Sequence, residues 1–232
     1  MKLAVFYILF FTAAFCRAQA VFTEARKNMN STTPERSLAV MDSCVLKNYQ
    51  PDSALFYGAL LSLKLNRVKE ARKRSGTLLR SYPGFRGRHY LNGLIFFTDQ
   101  NYGRCISEFN LAAKEEPHNL RIIYNRALAF GMLEEYLSAI EDLTACIDLD
   151  SGYVLAYYSR AYWYEYTGNY PESAKDYESV IRLDPKNYDA YHGLAYVYQN
   201  LHETQKACQV INKAIKEGSQ IAEELKEIFC KE

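Results

Sequence analysis

The chain has 232 residues, 28 basic and 27 acidic, for a formal charge of +1. This balance excludes the strongly basic surface of a nucleic-acid binder. The four histidines, His89, His118, His192 and His202, have no pair at helical ligand spacing, and there is no CxxC, so no metal site is expected. No glycine-rich phosphate loop or nucleophile–base arrangement stands out, so neither a cofactor nor an enzymatic activity is expected.

In chain order, Lys2 precedes an apolar run from Leu3 to Phe15, followed by Cys16, Arg17 and the small-x-small sequence Ala18-Gln19-Ala20. A basic start, a short apolar stretch and a small-residue cleavage site predict a secretory signal peptide over 1–20, with a mature chain starting near Val21. The protein is then exported, to a periplasm or to the secreted space. Two other readings stay open. One is an uncleaved membrane anchor, against which the run is short of the roughly 20 apolar residues of a spanning helix. The other is acylation at Cys16, against which Phe15 is bulky. Membrane contact follows only if this segment is retained or lipidated. Removing 1–20 takes Lys2 and Arg17 and no acid, leaving −1.

Residues 21–33 show no periodicity and are expected to be irregular. Asn30-Ser31-Thr32 fits a glycosylation sequon, and Thr33-Pro34 marks a helix start. From there a 34-residue period governs the chain. Ala59, Gly93, Ala127, Ala161 and Ala195 form one small-residue column, and Ala71, Cys105, Ala139, Ser173 and Ala207 a second, twelve residues later. Large residues keep the register at Leu55, Ile123, Tyr157 and Tyr191, at Phe96, Phe130, Tyr164 and Tyr198, and at Phe109, Leu143, Tyr177 and Ile211. Internal spacings of three, four and seven predict two amphipathic helices per unit, with small side chains where the pair approaches. The expected units are 52–85, 86–119, 120–153, 154–187 and 188–221, preceded by a half unit at 34–51. Pro83, Pro117 and Pro185 sit at closing turns. The first full unit is the most divergent, with Ser62 and Ser75 where the others are large and apolar. At the end, Ser219 is placed to cap a helix over 220–232 with Leu225 and Ile228 on its apolar face, closing the array.

This 34-residue hairpin, with small residues at its eighth and twentieth positions and proline near its thirty-second, resembles the tetratricopeptide repeat (TPR). The resemblance implies an all-α fold: a right-handed α-α superhelix, or solenoid, of stacked hairpins with a C-terminal capping helix. It also implies that one face of the first helices lines a concave groove that binds a partner. In this chain that stripe holds Tyr90, Arg121, Tyr124, Tyr158, Tyr162, His192 and Tyr196. Tyrosine gives a rigid contact surface with a polar tip, although rings at helical spacing can equally be core. The expected occupant is a protein or peptide partner; a glycan is the alternative, because exposed rings can stack on sugars. The clamp by which some TPR domains hold acidic C-termini is not matched. Its fifth-position column here is Phe56, Tyr90, Tyr124, Tyr158 and His192, and only Arg121 and Asn125 agree in type.

Two further patterns belong to structure. Arg126 with Asp142, and Arg160 with Asp176, occupy the seventh and twenty-third positions of two successive units; in the last unit both turn apolar together, as Leu194 and Val210. That covariation predicts guanidinium–carboxylate pairs across the hairpin. Cys105 falls in the second small column, Cys44 and Cys146 at a further small-residue position of second helices, the twenty-seventh, and all three are expected as buried thiols. Only Cys208 and Cys230, on adjacent C-terminal helices, could come close enough to bridge. Charge is uneven as well: nine basic residues against Glu70 from Lys64 to Arg88, and twelve acidic against four basic from Glu134 to Asp189.

Overall fold

The computed structural model describes residues 19–27 and 34–230, without the side chains of residues 221 and 229. The signal-peptide region up to residue 18, Cys16 included, lies outside them, as do the sequon and Thr33. The chain divides into two units, 1–115 and 116–232.

In the first unit α1 (Pro34–Leu46), α2 (Pro51–Lys64), α3 (Val68–Ser81), α4 (Arg88–Thr98) and α5 (Tyr102–Glu115) follow one another through short turns. In the second, α6 (Leu120–Met132), α7 (Tyr136–Leu149), α8 (Val154–Tyr166), α9 (Tyr170–Leu183), α10 (Tyr188–Asn200) and α11 (Thr204–Lys216) form three hairpins, closed by α12 (Ile221–Phe229). Among the described residues every regular element is helical.

One expectation is corrected here. Of the segment 21–33 expected to be irregular, the described residues 21–27 are helical, in a helix over 19–27, and Phe22 and Ala25 are buried among Leu38, Met41, Ala54 and Leu61. Phe22 meets the rings of Tyr49 and Tyr57 edge-on, and Arg26 lies over Tyr57 at 4.9 Å. The described residues of this segment are too few to show a period, and these tertiary contacts hold them as a helix.

The alanines of the two small columns are all fully buried, and so are Cys105 and Ser173. Ser173 sits there without an orphaned hydroxyl because Oγ donates to the Ala161 carbonyl across the hairpin at 2.8 Å. Phe109, Leu143, Tyr177 and Ile211 fill the space beside the small columns and are buried throughout. Where the first full unit replaces large residues by serine, both hydroxyls are satisfied: Ser62 donates to Gly58 O at 2.8 Å, and Ser75 to Asn92 Oδ1 at 2.7 Å. The start of α12 is capped by Ser219, whose Oγ accepts from Ala222 N at 3.3 Å. Cys208 and Cys230 are disulfide-bonded, with Cα atoms 5.2 Å apart, and tie α12 to the last hairpin. A loop of this length lowers the entropy of the unfolded chain by the equivalent of about 3 kcal/mol. Cys44, Cys105 and Cys146 are free and buried, and burial pushes the thiols of Cys105 and Cys146 up to about 12.

The arginine–aspartate pairs span their hairpins as forks. Arg126 Nε and Nη2 donate to the two Asp142 oxygens at 2.8 and 2.7 Å. Arg160 does the same to Asp176 at 2.7 and 2.8 Å, and its Nη1 donates to Thr144 Oγ1 at 2.9 Å. The bonds to Asp176 hold the Arg160 guanidinium above its usual range, while burial raises the Asp176 carboxyl in spite of them. With so little of either side chain exposed, a partner left alone keeps its desolvation penalty. Asp176→Ala is therefore expected to lower stability by about 3 kcal/mol, and Arg160→Leu with Asp176→Leu by clearly less. Denaturant unfolding of both variants checks this, and equal losses would contradict the pairing.

Candidate functional site

The stripe singled out in the sequence falls mostly in the second unit, on α6, α8 and α10. Tyr90 is the exception. It belongs to the first unit, where it is half-buried with its ring 6.0 Å from Phe109, so the candidate face is built without it.

On α6 Arg121 is exposed, while Tyr124 is half-buried, packed edge-on to Tyr153 with its hydroxyl 3.2 Å from Ser159 Oγ on α8. Tyr158 is half-buried too, its ring edge-on to Tyr177 at 5.7 Å. Burial raises its phenol above the usual range, and Asp189 and Glu165 add to the rise. These two tyrosines are thus shared between core and surface. Tyr162 and Tyr196, one turn further along their helices, are 40% and 47% exposed, and His192, at the unit position that Tyr158 holds one repeat earlier, is exposed. Of the predicted stripe, the free contact surface is therefore Arg121, Tyr162, His192 and Tyr196.

The polar group at its centre is Glu165. Its Oε2 accepts from the Tyr177 hydroxyl at 3.3 Å. Burial raises the Glu165 carboxyl, opposed by the Tyr177 hydrogen bond and by His192. A raised carboxyl binds its proton more tightly folded than unfolded, so this group costs stability above its folded pKa and that cost disappears as pH falls through it.

The structure adds aromatic residues that the sequence reading passed over. Trp163 stacks on Tyr136 of α7 at 5.4 Å and meets Tyr162 and Tyr166 edge-on at 4.9 and 6.0 Å. Tyr166 is 60% exposed, and Met132, Leu133 and Leu137 are exposed close by in sequence to Tyr136. Trp163 itself is buried, with an indole N–H that lacks a hydrogen-bond partner. Its position is normally given to a small or medium side chain, Ala129 and Val197 in the neighbouring units. Room for the indole comes from Gly131 on α6, where an added Cβ would lie 2.1 Å from the ring. Gly193 admits Tyr177 in the same way, at 2.5 Å. A glycine one unit earlier was the signal that could have pointed to Trp163. Among the described residues no three histidine, cysteine, aspartate or glutamate side chains gather to hold a metal.

Comparison with known proteins places these hairpins. Residues 154–187 and 176–209 each match a model described as a tetratricopeptide repeat. Over 65 residues, 28% of this chain, the sequence is 32% identical to stress-induced-phosphoprotein 1 of Caenorhabditis elegans, and the match spans only a fifth of that relative. Among solved structures, TTC0263, a thermophilic TPR protein of Thermus thermophilus, is similar with a TM-score of 0.66 at 18% identity, covering 78% of this chain and 99% of that one. YrrB, described as a TPR protein with an unusual peptide-binding site, is similar at 0.63 and 18%, covering 81% and 97%. The chain carries tetratricopeptide repeats, and its fold is the all-α solenoid class of these neighbours.

Because the aromatic cluster depends on the gap at Gly131, Gly131→Ala is expected to displace the indole and lower stability by about 1–3 kcal/mol. Trp163 is the chain's single tryptophan, so a shifted emission spectrum at lower melting temperature reads the displacement directly. An unchanged spectrum and melt would mean that the ring is not confined as described.

Proposed function

We propose that this tetratricopeptide-repeat chain is a non-enzymatic adaptor of the cell envelope or secreted space that holds an extended peptide of a partner protein on the exposed face of α6, α8 and α10. The observation that carries the reading is the mixture on that face: Tyr162, Tyr166 and Tyr196 exposed, with Arg121, His192 and the half-buried Glu165 among them. An extended peptide offers apolar side chains for the rings and carbonyls and amides for the polar groups. A sugar site would favour flat open rings, whereas Tyr162 and Tyr166 are tilted to each other at 49° and set against Trp163. The peptide site named for YrrB supports the same kind of occupant. A glycan remains the second reading, resting on the exposure of those rings.

Location in an oxidising compartment is supported by the sequence of residues 1–20 and by the Cys208–Cys230 disulfide, since such bonds persist mainly outside the cytosol. Burial of Phe22 suits a mature chain that keeps the helix after the cleavage point. Among the described residues no helix is long and apolar enough to cross a membrane. N-terminal sequencing of the native protein is expected to start near Val21; a chain beginning at Met1 in the membrane fraction would favour the anchor, and an acyl group on Cys16 the lipoprotein.

The groove is tested with a peptide selected from a random library against the full chain, beside cell-wall oligosaccharides. Tyr162→Ala and Tyr196→Ala are each expected to weaken the peptide by about 1–3 kcal/mol with little change in melting temperature, as exposed contacts should. Tyr158→Ala is expected to lower the melt as well, because its ring is half in the core. Selection of oligosaccharides and no peptide would favour the glycan reading. Peptide binding untouched by either exposed-ring variant would overturn the placement of the site.

A further inference from the structure

The seventh and twenty-third positions of a unit, together with the twenty-fifth of the unit before it, enclose a nest between three helices. In the unit of α8 and α9 the Arg160 guanidinium fills it, held by Asp176 and by Thr144 of α7. In the first full unit the cation comes from the other side: Arg74, at the twenty-third position, lies over Gly58 and pairs with Asp42 of α1 and Glu70. In the unit of α10 and α11 the cation and its carboxylate are replaced by Leu194 and Val210. Glu178 of α9 takes the place of Thr144.

The shorter side chains leave a hollow of about 390 Å³, lined by Ile181, Leu194, Val210 and the rings of Tyr191 and Tyr198. Its size lies within the range of small-molecule pockets. Glu178, Arg182 and Lys213 complete the lining. Glu178 already accepts from the Tyr198 hydroxyl at 2.7 Å. Lys213 stands 6.0 Å over the Tyr191 ring, and both it and Arg182 are exposed. Tyr191 is 1% exposed, so its ring forms a fixed wall of the hollow.

We infer that this hollow is a binding site for a small carboxylate with an apolar body of aryl or branched-alkyl size. The body replaces water on Ile181, Leu194 and Val210, and the carboxylate meets Lys213 and Arg182 at the rim. A guest cation is the alternative that the neighbouring nests suggest. It is disfavoured because the carboxylate that holds Arg160 has become Val210, and the cations at the rim outnumber the single acid, which is already engaged. The hollow is lined by α9, α11 and the side of α10 that faces them, so it is separate from the face that carries His192 and Tyr196.

The test titrates the isotopically labelled full chain with 3-phenylpropionate, 3-phenylpropan-1-ol and 3-phenylpropylamine, following amide shifts. Saturable shifts confined to the neighbourhood of Leu194, Val210, Arg182 and Lys213 are expected for the acid, with half-saturation near about 1 mM. The amine is expected to bind at least about tenfold more weakly. Leu194→Arg with Val210→Asp rebuilds the pair found in the preceding unit, fills the hollow, and is expected to abolish the shifts while the chain melts as before. Should that variant fold poorly, Lys213→Gln with Arg182→Gln changes only exposed side chains; it is expected to bring the acid down to the affinity of the alcohol and leave the alcohol unchanged. Tyr162→Ala is expected to leave all three ligands unaffected. No saturable binding of the acid, equal or tighter binding of the amine, or indifference to the rim substitutions would overturn the assignment.

Discussion

Everything in this molecule depends on how closely the two helices of a hairpin approach. Ala59, Ala127, Ala161 and Ala195 on the first helices, and Ala71, Cys105, Ala139 and Ala207 on the second, are fully buried. A larger side chain at any of them would push the helices apart and open the space now filled by Phe109, Leu143, Tyr177 and Ile211. The approach also sets the reach of the cross-hairpin bonds. Ser173 can meet the Ala161 carbonyl, and Arg160 can close a fork on Asp176, only because the helix separation is held by alanines.

Polar groups then decide what each hairpin does with the space beside that contact. One unit fills it with a fork to a buried carboxylate, another with an arginine reaching back to Asp42, and the last with aliphatic side chains and a hollow. All three solutions are compatible with the same backbone, because the nest lies outside the tightly packed columns. Stability and chemistry are thus carried by different positions of one repeat, and the nest can change content without moving the helices.

The aromatic residues show the same separation at the surface. Tyr177 and Tyr191 are core rings, Tyr124 and Tyr158 are shared, and Tyr162, Tyr166 and Tyr196 face water. Helical spacing alone assigns a ring to a face but not to a depth, since depth depends on what stands opposite. Gly193 opposite Tyr177 draws that ring inward, and Gly131 opposite Trp163 does the same for the indole, leaving Tyr162 and Tyr166 propped against its edge.

The period, the hairpins, the buried columns, the Ser219 cap and the arginine–aspartate register could all be read from the sequence, because each follows from a repeating local pattern that one alignment of the chain with itself exposes. The helical state of residues 19–27 could not, since it depends on Phe22 finding Tyr49 and Tyr57, residues far along the chain. Nor could the division of the tyrosine stripe into core and surface, or the cluster around Trp163. The paired loss of charge at Leu194 and Val210 was visible as a pattern, but the hollow it leaves was not. Sequence determined which residues share a face, by periodicity; tertiary structure decided how deep each lies and what space remains, because those depend on the sizes of neighbours that the chain brings together only on folding.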